Sequence, residues 1–543
     1  MVLFGCESTP QHSYGSEFSR FVHLNSLPEV MPSLLVWVAG LCPASDVAKP
    51  RPQNPRTETP SASYPLHGCI VCSPLFYRKS EIIRPVGSDH MKPLRFLILF
   101  CLLASTLSAI LEGQTSPANS PTPAPAAAGS SSGPAESKAA EPVPATVVEY
   151  APPPEQYARA KAYSNTRYRH IFIGASYGFL VLLVILRWRV APAFRDLAER
   201  VSARRSLQLI VFAPLILLTI ALLGIPSDIW DQSLDRAYGL SVQTWGAWAR
   251  DWILNQAIML IVGTLLAAIL YLVIRRSPRR WWFYFWLASI PILLAIFFLQ
   301  PIVIDPLFYK FTPLQTVQPV LLSEIQKVAH HGGMEIPADR MFVMDASSKQ
   351  TRVNAYVTGF GVSKRVVVWD TTIAKATIPE TLFVFGHEMG HYVLLHIPKE
   401  ISIQASILLF LLYVGYRLSN GMLARWGKQW GIRDLPDLAS LPALLFVITA
   451  LAFLATPVFN SVSRHFEHEA DRYGLEVIHG IVPNQNQVAA HYFQKSGEDN
   501  LADPDPSTLI KVWFFDHPTR PERVHFAATY DPWSKGEEPK YVK

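Results

Sequence analysis

The sequence contains little charge for its length. Only 17% of its 543 residues are Asp, Glu, Lys or Arg, whereas a soluble globular protein is about one quarter charged. The hydrophobic residues gather into separate runs of roughly 17 to 22 residues, and a helix of that length can cross a hydrocarbon core. The shortage of charge therefore excludes an ordinary soluble protein and predicts an integral membrane protein.

Cysteine is scarce too, and every cysteine precedes the region that carries the candidate chemistry. The five are Cys6, Cys42, Cys69, Cys72 and Cys101. Cys69 and Cys72 form one C-x-x-C with no second pair, which argues against a zinc ribbon. The rest of the chain therefore has no disulfide framework.

The net charge of +6 does not indicate nucleic acid as a partner. The arginines cluster beside the apolar runs, where cationic flanks of membrane-spanning helices are expected. We therefore expect contact with membrane lipid and no binding of nucleic acid.

The N-terminal residues show no pattern of a folded domain. Residues 1–90 are rich in Pro and Ser, and we interpret them as an over-extension of the reading frame or a disordered tail. From Met91 the chain has a positive start, an apolar core over Phe96–Ile110 and then small residues, which is the layout of a secretory signal. Segment 91–114 is thus predicted to be a signal peptide or first membrane anchor, and the Ala-, Pro- and Ser-rich stretch 115–160 a flexible linker.

Six further apolar runs are candidate membrane spans, four in region 161–303 and two in region 304–543. They cover about 169–186, 207–225, 253–274, 282–303, 400–416 and 440–459. The soluble-looking stretches 304–399 and 460–543 flank the last two spans. The predicted fold is mainly α, a polytopic bundle of membrane helices with a small α+β domain.

The stretch 304–399 predicts helices and short strands. Val320–His330 has helical periodicity, and Met341–Met344 is typical of a strand. Asn354–Val357 and Val366–Trp369 predict a β-hairpin, because turn residues separate two strand-like runs. A second helix is predicted over Pro379–His396.

This second helix contains an H-E-x-x-H motif, H-E-M-G-H from His387 to His391. Residues four apart on a helix share a face, so both imidazoles can bind one tetrahedral metal ion. Glu388 lies beside them and can take a proton from a water molecule at the metal. The motif is typical of zinc metallopeptidases, so we interpret 304–543 as a metallopeptidase domain containing two spans.

A third metal ligand is predicted after the last span, where Glu467 and Glu469 compete for the role. On a helix Glu467 shares a stripe with Arg464 and Asp471, whereas Glu469 points roughly the opposite way. A metal-bound histidine usually donates its other N–H to a carboxylate. We therefore predict that Glu467 binds one Zn²⁺ per chain and that Asp471 orients a histidine.

A further histidine, His517, is followed by Pro518 and, six residues on, by Arg523. An imidazole or guanidinium near the metal can stabilise the oxyanion of a tetrahedral intermediate. On spacing alone, a surface histidine is an equally good interpretation.

Together these motifs resemble those of the type I CAAX prenyl proteases, which are integral-membrane zinc peptidases. The resemblance covers about residues 160–530 and extends to further segments in the same order. These segments are Tyr238–Ser241, Pro306–Leu314, Asn354-Ala355-Tyr356, Val366–Thr371, Ser463–Asp471 and His517-Pro518. It implies zinc binding by His387, His391 and Glu467, and peptide hydrolysis by Glu388.

The resemblance also implies how substrate binds. The strand around Asn354 and Tyr356 would present its backbone to an extended peptide, by pairing at a sheet edge. His517 and Arg523 would lie near the active site, inside a chamber walled by the spanning helices, with His517 taking part in catalysis and Arg523 binding substrate.

The charge pattern predicts the side of the membrane on which catalysis occurs. Cationic residues crowd three connections: Arg187, Arg189, Arg195, Arg200, Arg204 and Arg205; Arg275, Arg276, Arg279 and Arg280; and Arg417, Arg425, Lys428 and Arg433. By the positive-inside rule these are cytoplasmic, and the acidic connection 226–252 lies outside. The active site is then extracytoplasmic in a bacterial inner membrane with six or seven spans, although the eukaryotic members of the resembled family place catalysis in the cytosol.

The sequence predicts a protein or peptide substrate and leaves open whether that substrate is lipidated. One alternative is a quality-control protease that degrades misfolded chains. Another, from a different class, is a membrane scaffold that keeps zinc only for structure. Structural zinc sites are closed and usually rich in cysteine, so a His₂Glu set beside Glu388 argues against the scaffold.

Overall fold

The computed structural model describes residues 146–358 and 365–542, apart from the side chain of Phe297. The predicted extension 1–90, the signal or anchor 91–114 and most of the linker 115–160 lie outside these residues. The first described helix begins at Pro154, so the predicted linker boundary at residue 160 falls inside that helix. A proline at the start of a helix loses no hydrogen bond, since the first N–H groups have no intrahelical partner.

Six helical segments of the described chain are long and apolar enough to cross a membrane, which confirms the predicted number. They are Pro154–Arg187, Arg205–Ala237, Trp245–Arg276, Trp281–Phe308, His396–Trp430 and Leu438–Val477. Each is longer than the apolar run from which it was predicted, because the helix continues beyond the hydrocarbon-length core into polar sequence. Arg417 and Arg425 accordingly lie on a helix and not in a loop.

The helices are numbered in chain order. They are α1 Pro154–Arg187, α2 Val190–Val201, α3 Arg205–Ala237, α4 Trp245–Arg276, α5 Trp281–Leu299, α6 Asp305–Phe308, α7 Leu314–Val317, α8 Pro319–His331, α9 Asp370–Lys375, α10 Ile378–Val393, α11 His396–Trp430, α12 Leu441–Val477, α13 Gln485–Asp499, α14 Thr508–Phe514 and α15 Arg520–Thr529. The predicted helix Pro379–His396 is thus two helices, α10 and the start of α11, because Leu395 has φ +56° and interrupts it.

Four short strands form one sheet in the order β1-β2-β4-β3. They are β1 Phe311–Pro313, β2 Met341–Met344, β3 Ala355–Thr358 and β4 Arg365–Trp369. Strands β3 and β4 pair antiparallel, as the hairpin prediction requires, while β2 and β4 pair parallel. The turn between β3 and β4 lies outside the described residues. Strand β3 is at an edge of the sheet, next to α10.

Polar contacts join the arginine-rich connections at one end of the helix bundle. The Arg195 guanidinium lies 2.6 Å from a carboxylate oxygen of Asp437. Tyr271, near the end of α4, donates a hydrogen bond of 3.1 Å to the carbonyl of Leu438. All three connections therefore lie on the same side of the bundle.

The segment that follows the other end of α3 contacts the connection between strands β2 and β3. The N–H of Val242 donates to the carbonyl of Lys349 at 3.0 Å, and the N–H of Thr351 donates to that of Leu240 at 3.1 Å. Since α3 runs from the arginine-rich end to this one, the acidic connection after α3 and the sheet lie opposite the arginines.

Candidate metal centre

Local sequence fixes where helix α10 begins. Thr377 and Glu380 form a capping box, in which the Thr377 N–H donates to the Glu380 carboxylate at 2.7 Å and the Glu380 N–H donates to the Thr377 hydroxyl. Such a box satisfies two N–H groups that the helix itself leaves unpaired. The helix that carries the H-E-x-x-H motif is therefore set in place by its own first turn, and its surface is buried on nearly every side.

Glycines allow α10 to pack closely against α12. A Cβ at Gly474 would lie 2.9 Å from the backbone nitrogen of His387, and a Cβ at Gly390 would lie 2.9 Å from the Cβ of Tyr473. Neither position has room for a side chain. The close approach brings Glu467 on α12 opposite the two histidines of α10.

The three predicted metal ligands meet at one point. The Nε2 atoms of His387 and His391 lie 3.2 Å apart, and the carboxylate oxygens of Glu467 lie 3.3 Å and 3.4 Å from them. All three side chains are buried. Zinc–nitrogen and zinc–oxygen distances near 2.0–2.1 Å give a tetrahedron whose edges are about 3.3–3.4 Å long. The two imidazole nitrogens are spaced like one edge of such a tetrahedron, and one ligand atom from each of the three residues lies within 4.8 Å of the others, so this donor set fits a zinc ion.

Asp471 lies behind His387. Its carboxylate is 2.9 Å from Nδ1 of His387 and also accepts two hydrogen bonds from the guanidinium of Arg523, one of them 2.8 Å long. Burial by itself lowers the pKa of His387, but its contacts with the carboxylates of Asp471 and Glu467 raise that pKa to about 9. The pocket thus favours positive charge at this point, whether a proton or a metal cation.

Arg523 was predicted to contact substrate, and the structure gives it another environment. Only 6% of the residue is exposed, and its guanidinium lies over the ring of Phe493 with 4.3 Å between Cζ and the ring centroid. A buried guanidinium that pairs with a buried carboxylate orients that carboxylate. Arg523 thus supports Asp471, and its contact with substrate stays a prediction.

His391 has a different partner, which the sequence did not predict. Its Nδ1 lies 3.2 Å from Nδ1 of His396, a side chain that is only 1% exposed. Glu469, the carboxylate judged to face away from the metal, lies 3.4 Å from Nε2 of His396. The sequence signal for this partner was the third histidine in the run from His387 to His396.

Glu388 and His517 approach the ligands from two elements. Glu388 is buried on α10 next to His387. His517 follows α14, and its Nε2 lies 3.1 Å from the Glu467 carboxylate while about a third of its side chain stays exposed. Arg464 donates hydrogen bonds to the carbonyls of Lys511 and Phe515. It thereby fixes the segment in front of His517.

The two predicted substrate residues on the edge strand differ. The backbone of Asn354 is held on both sides by the Thr372 hydroxyl, which accepts from its N–H at 2.8 Å and donates to its carbonyl at 2.7 Å. The side chain of Tyr356 is 4% exposed and packs with Met344 and Trp369. Tyr356 therefore offers no exposed side chain to a substrate.

Two family profiles match this chain. The profile of peptidase family M48 matches residues 316–530, and that of the CAAX prenyl protease N-terminal region, described as five membrane helices, matches 136–310. An uncharacterized metalloprotease, YhfN of Bacillus subtilis (strain 168), is 34% identical over 69% of this chain and 86% of its own length. The chain belongs to peptidase family M48.

Other M48-related proteins are more distant. The CAAX prenyl protease 1 homolog of Oryza sativa subsp. japonica is 27% identical over 68% of this chain and 86% of its own length. The human protein of that name is 26% identical over 65% of this chain and 81% of its own length. The crystal structure of S. mikatae Ste24p shares the fold, with a TM-score of 0.59 and 20% identity over 70% of this chain and 92% of that one. This chain is accordingly a membrane protease with a Ste24p-like fold.

Proposed function

We propose that this M48 protein is a zinc metalloendopeptidase in which His387, His391 and Glu467 hold the metal. The observation that carries the proposal is the meeting of three buried side chains, each of which offers one ligand atom within 4.8 Å of the other two. When bound, zinc polarises the scissile carbonyl and lowers the pKa of a water molecule. A structural zinc site would need no acid–base residue beside it. Glu388 and His517 flank the proposed site, which favours a catalytic metal.

Glu388 is the general base in this proposal. It accepts a proton from the attacking water and passes that proton to the nitrogen of the leaving amine. His517 donates the proton on Nε2 as a hydrogen bond to the oxyanion that forms on the former carbonyl. Its distance of 3.1 Å from the Glu467 carboxylate supports a place at the edge of the metal site.

Strand β3 is the proposed docking site for substrate. It is an edge strand next to α10, and Asn354 at its start is fixed by Thr372. An extended peptide can add to such an edge through main-chain hydrogen bonds. This mode of binding recognises the peptide backbone and not one particular side chain. We therefore infer a protein or peptide substrate, which enters a chamber between the spanning helices.

The active site is proposed to face the extracytoplasmic side of a bacterial inner membrane. The three arginine-rich connections meet at the end of the bundle opposite the sheet, and such connections are usually cytoplasmic. A reporter fused after Lys543 should then be active only when it is exported. A reporter active only in the cytoplasm would reverse the assignment.

Glu388→Gln tests the mechanism. The amide cannot accept the proton, so we expect turnover to fall by about 10²–10⁴-fold while elemental analysis still finds one zinc per chain. Unchanged cleavage would contradict the role of Glu388, and a wild-type protein without zinc would contradict the proposal itself.

The same variant identifies substrates. Membrane proteins cut in cells with the wild type but not with Glu388→Gln can be compared by mass spectrometry. Cleavage next to prenylated cysteines would support the lipidated substrate that the relatives' names suggest. Cleavage of many unmodified, misfolded chains would support the quality-control alternative.

A further inference from the structure

A second set of buried polar side chains lies behind the metal site, on the side of His391. His391 directs Nε2 to the other metal ligands, and its Nδ1 lies 3.2 Å from Nδ1 of His396. Since one of two facing nitrogens must donate and the other accept, a proton on Nδ1 of His391 requires His396 to be neutral and protonated on Nε2. That Nε2 faces Glu469 at 3.4 Å.

The backbone is bent to bring His396 to this place. Leu395 separates α10 from α11 with φ +56° and ψ +36°, a left-handed conformation that is uncommon for a branched residue. The ring of His396 then stacks on that of Phe466, with 4.8 Å between centroids. Backbone strain next to an active site is maintained only when surrounding contacts enforce it, and here those contacts place His396 behind His391.

Glu469 is in turn held by the segment Lys540–Val542, which we call the clasp. The hydroxyl of Tyr541 donates to Oε1 of Glu469 at 2.5 Å, and Nζ of Lys540 lies 3.1 Å from the same oxygen. The other carboxylate oxygen faces His396. Tyr541, Lys540 and His396 thus each face Glu469 with a group that can donate a proton, and together they fix the orientation of the carboxylate.

A buried carboxylate anchors the clasp to α12. Glu476, which is 1% exposed, accepts hydrogen bonds from the backbone N–H groups of Lys540, Tyr541 and Val542 at 2.9, 2.6 and 3.0 Å. It also accepts one from the Tyr530 hydroxyl. A carboxylate that binds successive backbone N–H groups holds that backbone firmly, because each bond is charge-assisted.

We propose that His396, Glu469 and Tyr541 are positioning residues that fix the tautomer and orientation of the metal ligand His391, and that the clasp keeps this chain of contacts closed. The inference rests on the proposed function, since it assigns His391 to zinc. Residues that orient a metal ligand typically change metal affinity or activity by about 10–100-fold when they are replaced.

The test measures metal binding by the full-length protein in detergent. Cobalt(II) is titrated into metal-free wild type and into the variants His396→Gln, Glu469→Gln and Tyr541→Phe, while the visible absorption of the bound ion is recorded. We expect the dissociation constant to rise about 10–100-fold for His396→Gln, and less, in the same direction, for the other two. The absorption bands should shift, because the orientation of His391 changes. Tyr541→Phe removes one hydroxyl from a surface segment, so it keeps the experiment informative if His396→Gln fails to fold.

His465→Gln is the matched control. His465 lies 3.8 Å from the same carboxylate of Glu469, but its side chain is 70% exposed and it is not part of the chain to His391. The proposal requires wild-type affinity from this control. Wild-type affinity and absorption in all three test variants, or an equal loss in His465→Gln, would overturn it. A wild type that binds neither cobalt nor zinc would instead overturn the proposed function.

Discussion

The two histidines of the H-E-x-x-H motif are supported in different ways. His387 contacts a carboxylate directly, at 2.9 Å from Asp471, and that carboxylate is paired with a buried guanidinium. His391 instead faces a second imidazole, that of His396. The carboxylate on that side, Glu469, contacts His396 and not His391.

The contacts that support the two histidines end in different parts of the protein. The Asp471–Arg523 pair lies in the interior, between α12 and α15, and both side chains are almost fully buried. The support of His391 ends at Tyr541 near the surface. We therefore expect the His387 side to be strong and costly to break, and the His391 side to be weaker and adjustable.

Replacing Asp471 by Asn should have the largest effect. The change leaves the Arg523 guanidinium buried without its charge partner, and breaking a buried ion pair costs about 3–5 kcal/mol. Thermal unfolding in detergent should show this loss, and cobalt affinity should fall further than in His396→Gln.

Glu324→Gln is a control for that prediction, because Glu324 pairs with Lys327 while the two side chains are 27% and 62% exposed. Exposed pairs contribute only about 0–1 kcal/mol. If His396→Gln weakened cobalt binding more than Asp471→Asn, the order of the two supports would be reversed.

Replacing Gly474 by Ala should have the next largest effect, which starts where α12 meets α10 at His387. The new Cβ would meet the backbone nitrogen of His387 at 2.9 Å, so α10 and α12 must separate. Overpacking of this kind costs about 1–3 kcal/mol, and the displaced His387 should also bind cobalt more weakly.

Gly421→Ala is the matched control, since a Cβ there has no heavy atom within 4 Å. Alanine is favoured over glycine inside a helix by about 1 kcal/mol, so this variant should be as stable as the wild type or more so. A Gly474→Ala protein with unchanged stability and affinity would show that the close approach of the two helices is not required.

The direct support could be predicted from sequence, whereas the indirect one could not. Residues four apart share a helix face, which gave His387, His391, Glu467 and Asp471. On a continuous helix His396 would stand about 140° around from His391 and face away. The left-handed conformation of Leu395 reverses that direction. A leucine in the sequence does not predict such a conformation.

The partners of Glu469 and Arg523 could not be predicted for a related reason. Helical geometry correctly turns Glu469 away from Glu467, but its partner His396 comes from a different helix. Arg523 pairs with Asp471 across 52 residues, and no spacing rule connects such positions. By contrast, the six spans were predicted because a hydrocarbon core demands a continuous apolar run.

Replacing Glu476 by Gln should have the smallest effect on the metal, and it separates the clasp from the residues it holds. The amide keeps the shape of the side chain but loses the charge that strengthens three backbone hydrogen bonds. Hydrogen bonds to a charged group contribute about 1.5–3 kcal/mol, so the clasp should open more often. Hydrogen exchange should therefore be faster at Tyr541 and Val542, while cobalt affinity falls by less than about tenfold.

Glu537→Gln provides a comparison for this variant, because it removes an exposed carboxylate from the same surface region and leaves the backbone bonds to Glu476 in place. It should leave exchange at Tyr541 unchanged. If Glu476→Gln opened the clasp and cobalt affinity stayed at the wild-type value, the support of His391 would end at Glu469. The two histidines would then differ only in the group that contacts them, a carboxylate for His387 and an imidazole for His391. The clasp would make no contribution.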